Sequence, residues 1–462
     1  MNIIPLFDIF LNNFRKIFDK SDVLPMIEHK IDEVGFNFTI ETFTYFLEQI
    51  DLNFLHSKKR KDKYYCKEIV NRTIITCFGP ISFKYRVYVD KITKKRYSII
   101  KDLLLLKPYQ RITDEAEYEI IKYAMSENMS QAGRHAIKNT IISRSTVSKK
   151  IKNLNGSIHR PIQKAIITPK TLYIEMDEIH ANLQHGGNRI CPCAIVHEGY
   201  KELFVKRKKL KNIHYFSTAK YDYKYLWNEI YNYIDNRYDL NKIDYLFVSG
   251  DGAKGIKAFD EILPNAIFVL DKFHFKKYMK YIFQNQDVIN IALSYLLHDD
   301  IKLFNTLVNL QIEKRPENAK AIKISKNYII NNIQGIKNQY HPEYKCPCSM
   351  EAHVNHGFAR YITSSPYGFS LDGLENKLKL LTLHANKVDL SFKDFLNLKY
   401  NNNAVTELNE RIHAFQNIKF KYSNLLSNKH INSKHDTYCP IPKFEDINSN
   451  IYLNNLLNKN LF

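Results

Sequence analysis

A mixed-sheet α/β protein with a helical insertion, preceded by a helical and β-hairpin region, is the fold this sequence predicts. Three observations carry that expectation. Between residues 171 and 271 short β-rich runs give way to alternating helical and β-rich ones. A long stretch with no strand signal, 275–345, follows them. The first sixty residues repeat Ile, Leu and Phe at intervals of three and four, the spacing of one helical face.

At 462 residues the chain is too long for one compact core, and its 44% hydrophobic residues suffice for several. The net charge of +20 is unevenly spread. Residues 1–50 hold four Lys/Arg and eight Asp/Glu, net −4, so the remaining 412 residues carry +24. A surplus of that size suits a polyanionic partner, because each phosphate neutralised releases counterions. No run of 18 apolar residues occurs, which excludes a membrane-spanning helix. The N-terminal segment lacks a basic stretch ahead of its apolar one, so an amphipathic helix is expected there rather than a signal peptide. Seven cysteines, an odd number, point to a reducing cytoplasm.

Taken in order, residues 1–66 are expected to be helical. Residues 67–110 form a basic β-hairpin region, with Ile69, Ile74 and Ile75 on one arm and Phe83, Tyr85, Val87 and Tyr88 on the other. Gly79-Pro80 separates the arms. Residues 111–165 are expected to hold a helix-turn-helix. Thr113 and the acids after it start one helix, and Ser143 caps a recognition helix whose Val147, Ile151 and Leu154 face inward. Ser143, Arg144, Ser145, Thr146, Lys149 and Lys150 would then face double-stranded DNA. Next come strands at 171–183, 189–199 and 201–212, a helix at 222–239, a strand at 244–251, a short helix and a strand at 266–271. Three strands, a helix, then alternation is the order of a ribonuclease-H-like sheet. The catalytic domain is expected to span 166–390, and a C-terminal tail 391–462.

Phosphodiester cleavage calls for a nucleophile to be activated and a leaving oxygen stabilised, and carboxylates suit the two Mg²⁺ or Mn²⁺ ions that do both. Asp177 follows Leu172, Ile174 and Met176, which alternate to one side, so it shares the opposite face with Tyr173 and Glu175. Asp251 closes the strand 244–251, and Glu351 follows the insertion. Lys254, His353, His356 and Arg360 are candidate DNA contacts nearby. GlyAspGlyAlaLysGly (250–255) fits a dinucleotide fingerprint on paper, yet its Asp would repel a pyrophosphate. Two Cys-Pro-Cys triplets, 191–193 and 346–348, leave a four-thiolate zinc site as an alternative to plain reduced cysteines. DKFHFKKYMKY (271–281) adds a strand-end acid and His274, read equally as packing or as phosphate contact.

Four passages resemble bacterial insertion-sequence transposases of the ISLre-two family. They are YIEMDEIHANLQ with VHEG (173–184, 196–199), VSGDGAKGIKAFDEILPNAIFVLDKFHFKKY (248–278), CSMEAHVNHGFARYITSSPYGFS (348–370), and FGPISFKYRVYVDK with LKPYQRIT (78–91, 106–113). The resemblance implies a DDE transposase in which Asp177, Asp251 and Glu351 bind two divalent ions. It also implies action on terminal inverted repeats and target DNA, as a homo-oligomer. Ala352, Tyr361 and Ser365 depart from the family pattern, which has Gly at the first position and Arg at the other two. A non-catalytic DNA-binding regulator, and a ribonuclease-H-like nuclease or resolvase, are the competing readings.

Overall fold

Alternation builds the first sheet. In β2 (Gly79–Asp90), Ile81, Phe83, Tyr85 and Val87 are buried while Pro80, Ser82 and Lys84 are exposed. The strand pairs antiparallel with β1 (Tyr64–Thr76), and β3 (Arg96–Tyr97) adds a short third strand. The computed structural model describes residues 4–18, 24–104, 109–158, 160–204, 207–363 and 368–400. All of them lie in one of the chain's two compact units, residues 1–405. Most of the expected tail, together with Ser365 and Cys439, falls outside the described residues.

Helices α1 (Ile4–Phe18), α2 (Leu24–His56) and α3 (Lys58–Lys63) precede the hairpin. Leu47 of α2 is buried with Ile74, Ile81 and Phe83. One turn on, Asp51 is fully buried, accepting from the Arg86 backbone N–H at 3.1 Å and from Arg86 Nη1 at 2.8 Å. Burial raises the Asp51 pKa even with Arg86 beside it, so desolvation outweighs the pairing. Asp51→Ala, which strands the guanidinium, should lower unfolding stability by about 3–5 kcal/mol in a urea titration. Replacing both partners with apolar residues should cost clearly less; an equal loss would contradict this account.

After α4 (Ile99–Leu103) come α5 (Asp114–Ala124), α6 (Met129–His135) and α7 (Arg144–Lys152). The caps are Thr113, Asn128 and Ser143, whose side-chain oxygens accept the orphan N–H groups of each first turn. The three helices pack through Ile120, Ile121, Ala132, Val147 and Ile151, all buried.

The central sheet has five strands. They are β4 (Thr171–Asn182), β5 (Asn188–His197), β8 (His214–Ser217), β9 (Tyr245–Gly250) and β10 (Ile267–Leu270), in the spatial order β10-β9-β4-β5-β8. Neighbours β4–β9 and β9–β10 are parallel; β4–β5 and β5–β8 are antiparallel. One expectation is corrected here. Residues 201–212 do not supply the third strand of this sheet. They form most of a separate two-stranded ribbon, β6 (Tyr200–Phe204) and β7 (Arg207–Leu210), and His214–Ser217 takes the place in the sheet. The reason is charge: lysine and arginine recur throughout 201–212, and a strand laid against the core cannot bury them.

Helix α8 (Tyr223–Arg237) covers one sheet face, packing Leu226, Trp227, Ile230 and Ile234 on Leu172, Ile174, Met176 and Val248. On the other face Tyr173, Phe247 and Val269 are buried with Cys346. The sequence from α9 (Lys254–Lys257) runs through β10 into the insertion, which is helical as expected. It comprises α10 (Lys272–Phe283), α11 (Gln286–Leu297), α12 (Ile301–Lys314), α13 (Ala319–Asn331) and α14 (Ile333–Lys337). Met279, Phe304, Val308, Ile322 and Ile329 give it a core of its own. There follow α15 (Met350–Val354), a π-helical turn at Asn355–Ala359, α16 (Arg360–Ile362), α17 (Leu371–Ala385) and α18 (Phe392–Lys399). No described helix is long and apolar enough to cross a membrane.

Candidate catalytic cleft

Register places the first two acids. Glu175 of β4 lies opposite Ser249 of β9, and two residues further along these parallel strands are Asp177 and Asp251. Strands are about 4.8 Å apart, so the two carboxylates leave adjacent strands side by side. Leu270 opposes Gly250, which brings Asp271 into the same row. Glu351 comes from α15, whose Met350 and Val354 are buried. Asp177, Asp251, Glu351, Glu178, His274 and Asn355 together line one cleft of about 390 Å³.

Each acid is held by its own chain. Asp177 Oδ1 accepts the Glu178 N–H at 2.8 Å, and Asp251 Oδ1 accepts the Ala253 N–H at 2.8 Å. Asn355 Nδ2 donates to Glu351 Oε1 at 2.9 Å. The helical insertion buttresses the Asp251 turn, since Tyr328 donates to the Asp251 carbonyl at 2.5 Å. Gly252 takes φ +81°, a left-handed conformation that glycine adopts without strain. At Gly255 a Cβ would stand 2.3 Å from the Tyr223 ring. Packing therefore accounts for glycines that otherwise read as a dinucleotide loop.

Burial and like charge act together in this cleft. Burial, then the Glu351 and Asp251 carboxylates, push the Asp177 carboxyl up to about 6 against its hydrogen bond from Glu178. The His274 imidazole is shifted upward too, by its 2.9 Å bond to Asp271 Oδ2 and by the Asp177 and Asp251 charges. Asp271 and His274 are the residues that sequence reading left undecided. Their signal was a strand-end acid three residues before a histidine, a spacing that puts both on one helical face.

Other expected contacts fall elsewhere. His353, His356 and Arg360 do not reach the acid cleft; they line a neighbouring one of about 370 Å³ with Tyr215, Tyr361 and His384. Two residues along a helix is a turn of about 200°, which carries His353 away from the Glu351 side. There it shares a 2.8 Å hydrogen bond with the Tyr215 hydroxyl. Lys254 is exposed at the start of α9. On α7, Ser143, Ser145 and Lys149 are exposed and Arg144 and Thr146 partly so. Lys150 is turned to Glu117 at 2.5 Å and is committed within the protein.

The two Cys-Pro-Cys triplets do not combine. Cys191 and Cys193 direct their thiols to carbonyls of their own strand, and burial pushes Cys191 up to about 12. Cys346 instead joins Glu175 and His197. Among the described residues this is the one group of three whose ligand atoms all lie within 4.8 Å, close enough to hold an ion. Its hydrogen bonds specify a particular state. The Gly199 N–H donates to His197 Nδ1 at 3.1 Å, so the ring proton sits on Nε2 and is given to Glu175 Oε1 at 3.0 Å. Glu175 Oε2 accepts the Ser349 N–H at 2.7 Å and its hydroxyl at 3.1 Å. An ion at Nε2 would displace that proton.

Similarity to known proteins covers most of the length. Residues 23–395 match the model of an uncharacterised protein family, UPF0236. In Caldanaerobacter subterraneus subsp. tengcongensis, a UPF0236 protein carrying eleven locus designations is 27% identical over 376 residues, 80% of this chain and 79% of its own length. A second UPF0236 protein from that organism is 27% identical over 389 residues, 83% of this chain and 82% of its own. A third, with four locus designations, is 27% identical over 389 residues, covering 83% and 81%. By a match of this extent, the chain belongs to the UPF0236 family.

Proposed function

We propose that this chain is a DDE transposase, kin to the ISLre-two type, that cuts DNA at the ends of a mobile element and joins the freed 3′ ends to target DNA. The observation that carries the reading is the meeting of Asp177, Asp251 and Glu351 in one cleft. Their origins support it: adjacent parallel strands supply two acids, and a helix beyond an insertion supplies the third. Numbering the sheet strands 1 to 5 along the chain, their spatial order 5-4-1-2-3, with strand 2 antiparallel to its neighbours, supports a ribonuclease-H-like core. Several loci under one name in a relative's genome suit a mobile element.

The donor set fits hard divalent cations, being carboxylate oxygens drawn together at a cost in repulsion that positive charge would relieve. When bound, Mg²⁺ or Mn²⁺ supplies nucleophile activation and leaving-group stabilisation. The chain supplies the rest. Asp177, Asp251 and Glu351 would hold the ions. His274, bonded through Nδ1 to Asp271, lines the same cleft, and its upward shift favours the cationic form that would meet a phosphate. The exposed face of α7 and the net charge of +20 provide for duplex DNA.

Labelled duplexes from the two ends of the element carrying this gene test the reading. Wild-type protein with Mg²⁺ should nick them at the 3′ ends and transfer those ends to a target plasmid. Cutting without joining would identify a nuclease, and binding without cutting a regulator.

A further inference from the structure

We infer that Glu375, Asn376 and Lys377, three successive residues of α17, are positioning residues that lock the α5–α7 helices to the edge of the central sheet. They thereby hold the exposed face of α7 at a fixed separation from the acid cleft. The inference rests on the transposase reading for its consequence, though not for its geometry.

Consecutive helical residues point about 100° apart, so three in a row can address three bodies at once. Glu375 Oε2 accepts from Thr218 Oγ1 at 3.0 Å and from the Ala219 and Lys220 N–H groups at 2.7 and 3.0 Å, binding the turn after edge strand β8. Asn376 Nδ2 donates to the carbonyls of Ile151, Lys152 and Leu154 at 3.0, 3.3 and 2.7 Å. Those carbonyls lie at the end of α7, where a helix leaves its own acceptors without donors. Lys377 Nζ donates to the carbonyls of Ala124 at 2.5 Å and Glu127 at 2.8 Å, the end of α5. All three side chains are buried, Lys377 completely.

The same helix continues along the sheet edge. Thr382 shares a 2.7 Å hydrogen bond with Ser217, and the Asn386 amide pairs both backbone groups of Tyr215 at 2.8 and 3.0 Å, as a further strand would. Adhesion alone would be served more cheaply by leucines, because burying an amine and a carboxylate costs desolvation. What directional bonds to backbone groups add is a single permitted arrangement. A DNA end gripped by α7 would then meet the cleft at one phosphodiester.

The test uses full-length wild type, Asn376→Ala, Lys377→Met and the double variant on the labelled end duplexes. Affinity is read in Ca²⁺, and the rate and position of cleavage in Mg²⁺. A lock predicts affinity within about threefold of wild type, cleavage slower by about 10²-fold, and cuts spread over several phosphodiesters. A double variant that cuts at the wild-type position and rate overturns it. Melting curves separate this from mere destabilisation, which would not move the cut site. Should the variants not fold, or wild type not cut, amide exchange on wild type decides. Ala219, Lys220 and the last turn of α7 must then exchange through one shared opening, and independent rates overturn the lock. Absent cutting by wild type counts against the transposase reading alone.

Discussion

Asp251→Asn should abolish end cleavage and strand transfer, lowering the rate at least about 10³-fold, the scale on which removal of a group from a cooperating catalytic set is felt. Asparagine is the informative replacement. Its Oδ1 can still accept the Ala253 N–H that shapes the turn, so the local fold survives while the negative charge is lost. The same variant should melt higher than wild type in EDTA, because one of the charges that push Asp177 up to about 6 is gone. In Mg²⁺ the order should narrow or reverse, since wild type gains from ion binding and the variant does not. A variant that still joins ends at the wild-type rate would refute the catalytic assignment. A DNA-binding regulator predicts no change in binding or repression.

Glu175→Ala should be the most destabilising single change around the cleft, at about 3–5 kcal/mol in urea. The carboxylate is 1% exposed and receives three donors: His197 Nε2–H, the Ser349 N–H and the Ser349 hydroxyl. All three are left without an acceptor. Glu175→Gln retains part of the set and should cost less. Because Ser349 begins the helix that carries Glu351, residual folded protein should also cut slowly. Purified wild type should contain no stoichiometric zinc by elemental analysis, since the Nε2 proton fills the space between His197 and Glu175. Zinc at one equivalent, removed by chelation with a fall in Tm, would show that Cys346, His197 and Glu175 hold an ion instead.

Much of this was legible in the residues because the determinants are local. Strand β4 announces itself by Leu172, Ile174 and Met176, which the structure buries against α8, and Asp177 then falls on the expected face. The caps Thr113 and Ser143 mark α5 and α7 with their side-chain bonds in place. What was not legible depends on long-range pairing. Residues 201–212 hold an apolar run, Leu203-Phe204-Val205, that suits a sheet strand, and their charge, weighed against the buried sheet, excludes them. His197 was not singled out in the sequence; its bond to Glu175 spans 22 residues. Lys150 sits on the outward pattern of α7, yet Glu117, 33 residues earlier, draws it inward.

Helix α17 constrains how this gene can vary in length. Inserting one residue anywhere between its cap, Ser370, and Glu375 would rotate everything downstream by about 100° and advance it by about 1.5 Å. The carboxylate would then swing toward the carbonyls at the end of α7, the amine past those at the end of α5, and Leu374 would face the N–H groups of residues 219 and 220. No single compensating substitution repairs three mismatches at once. Indels should therefore be absent from that one turn across related copies, while the hairpin tip at Cys77–Phe78, a partly exposed turn between two strands, should tolerate them.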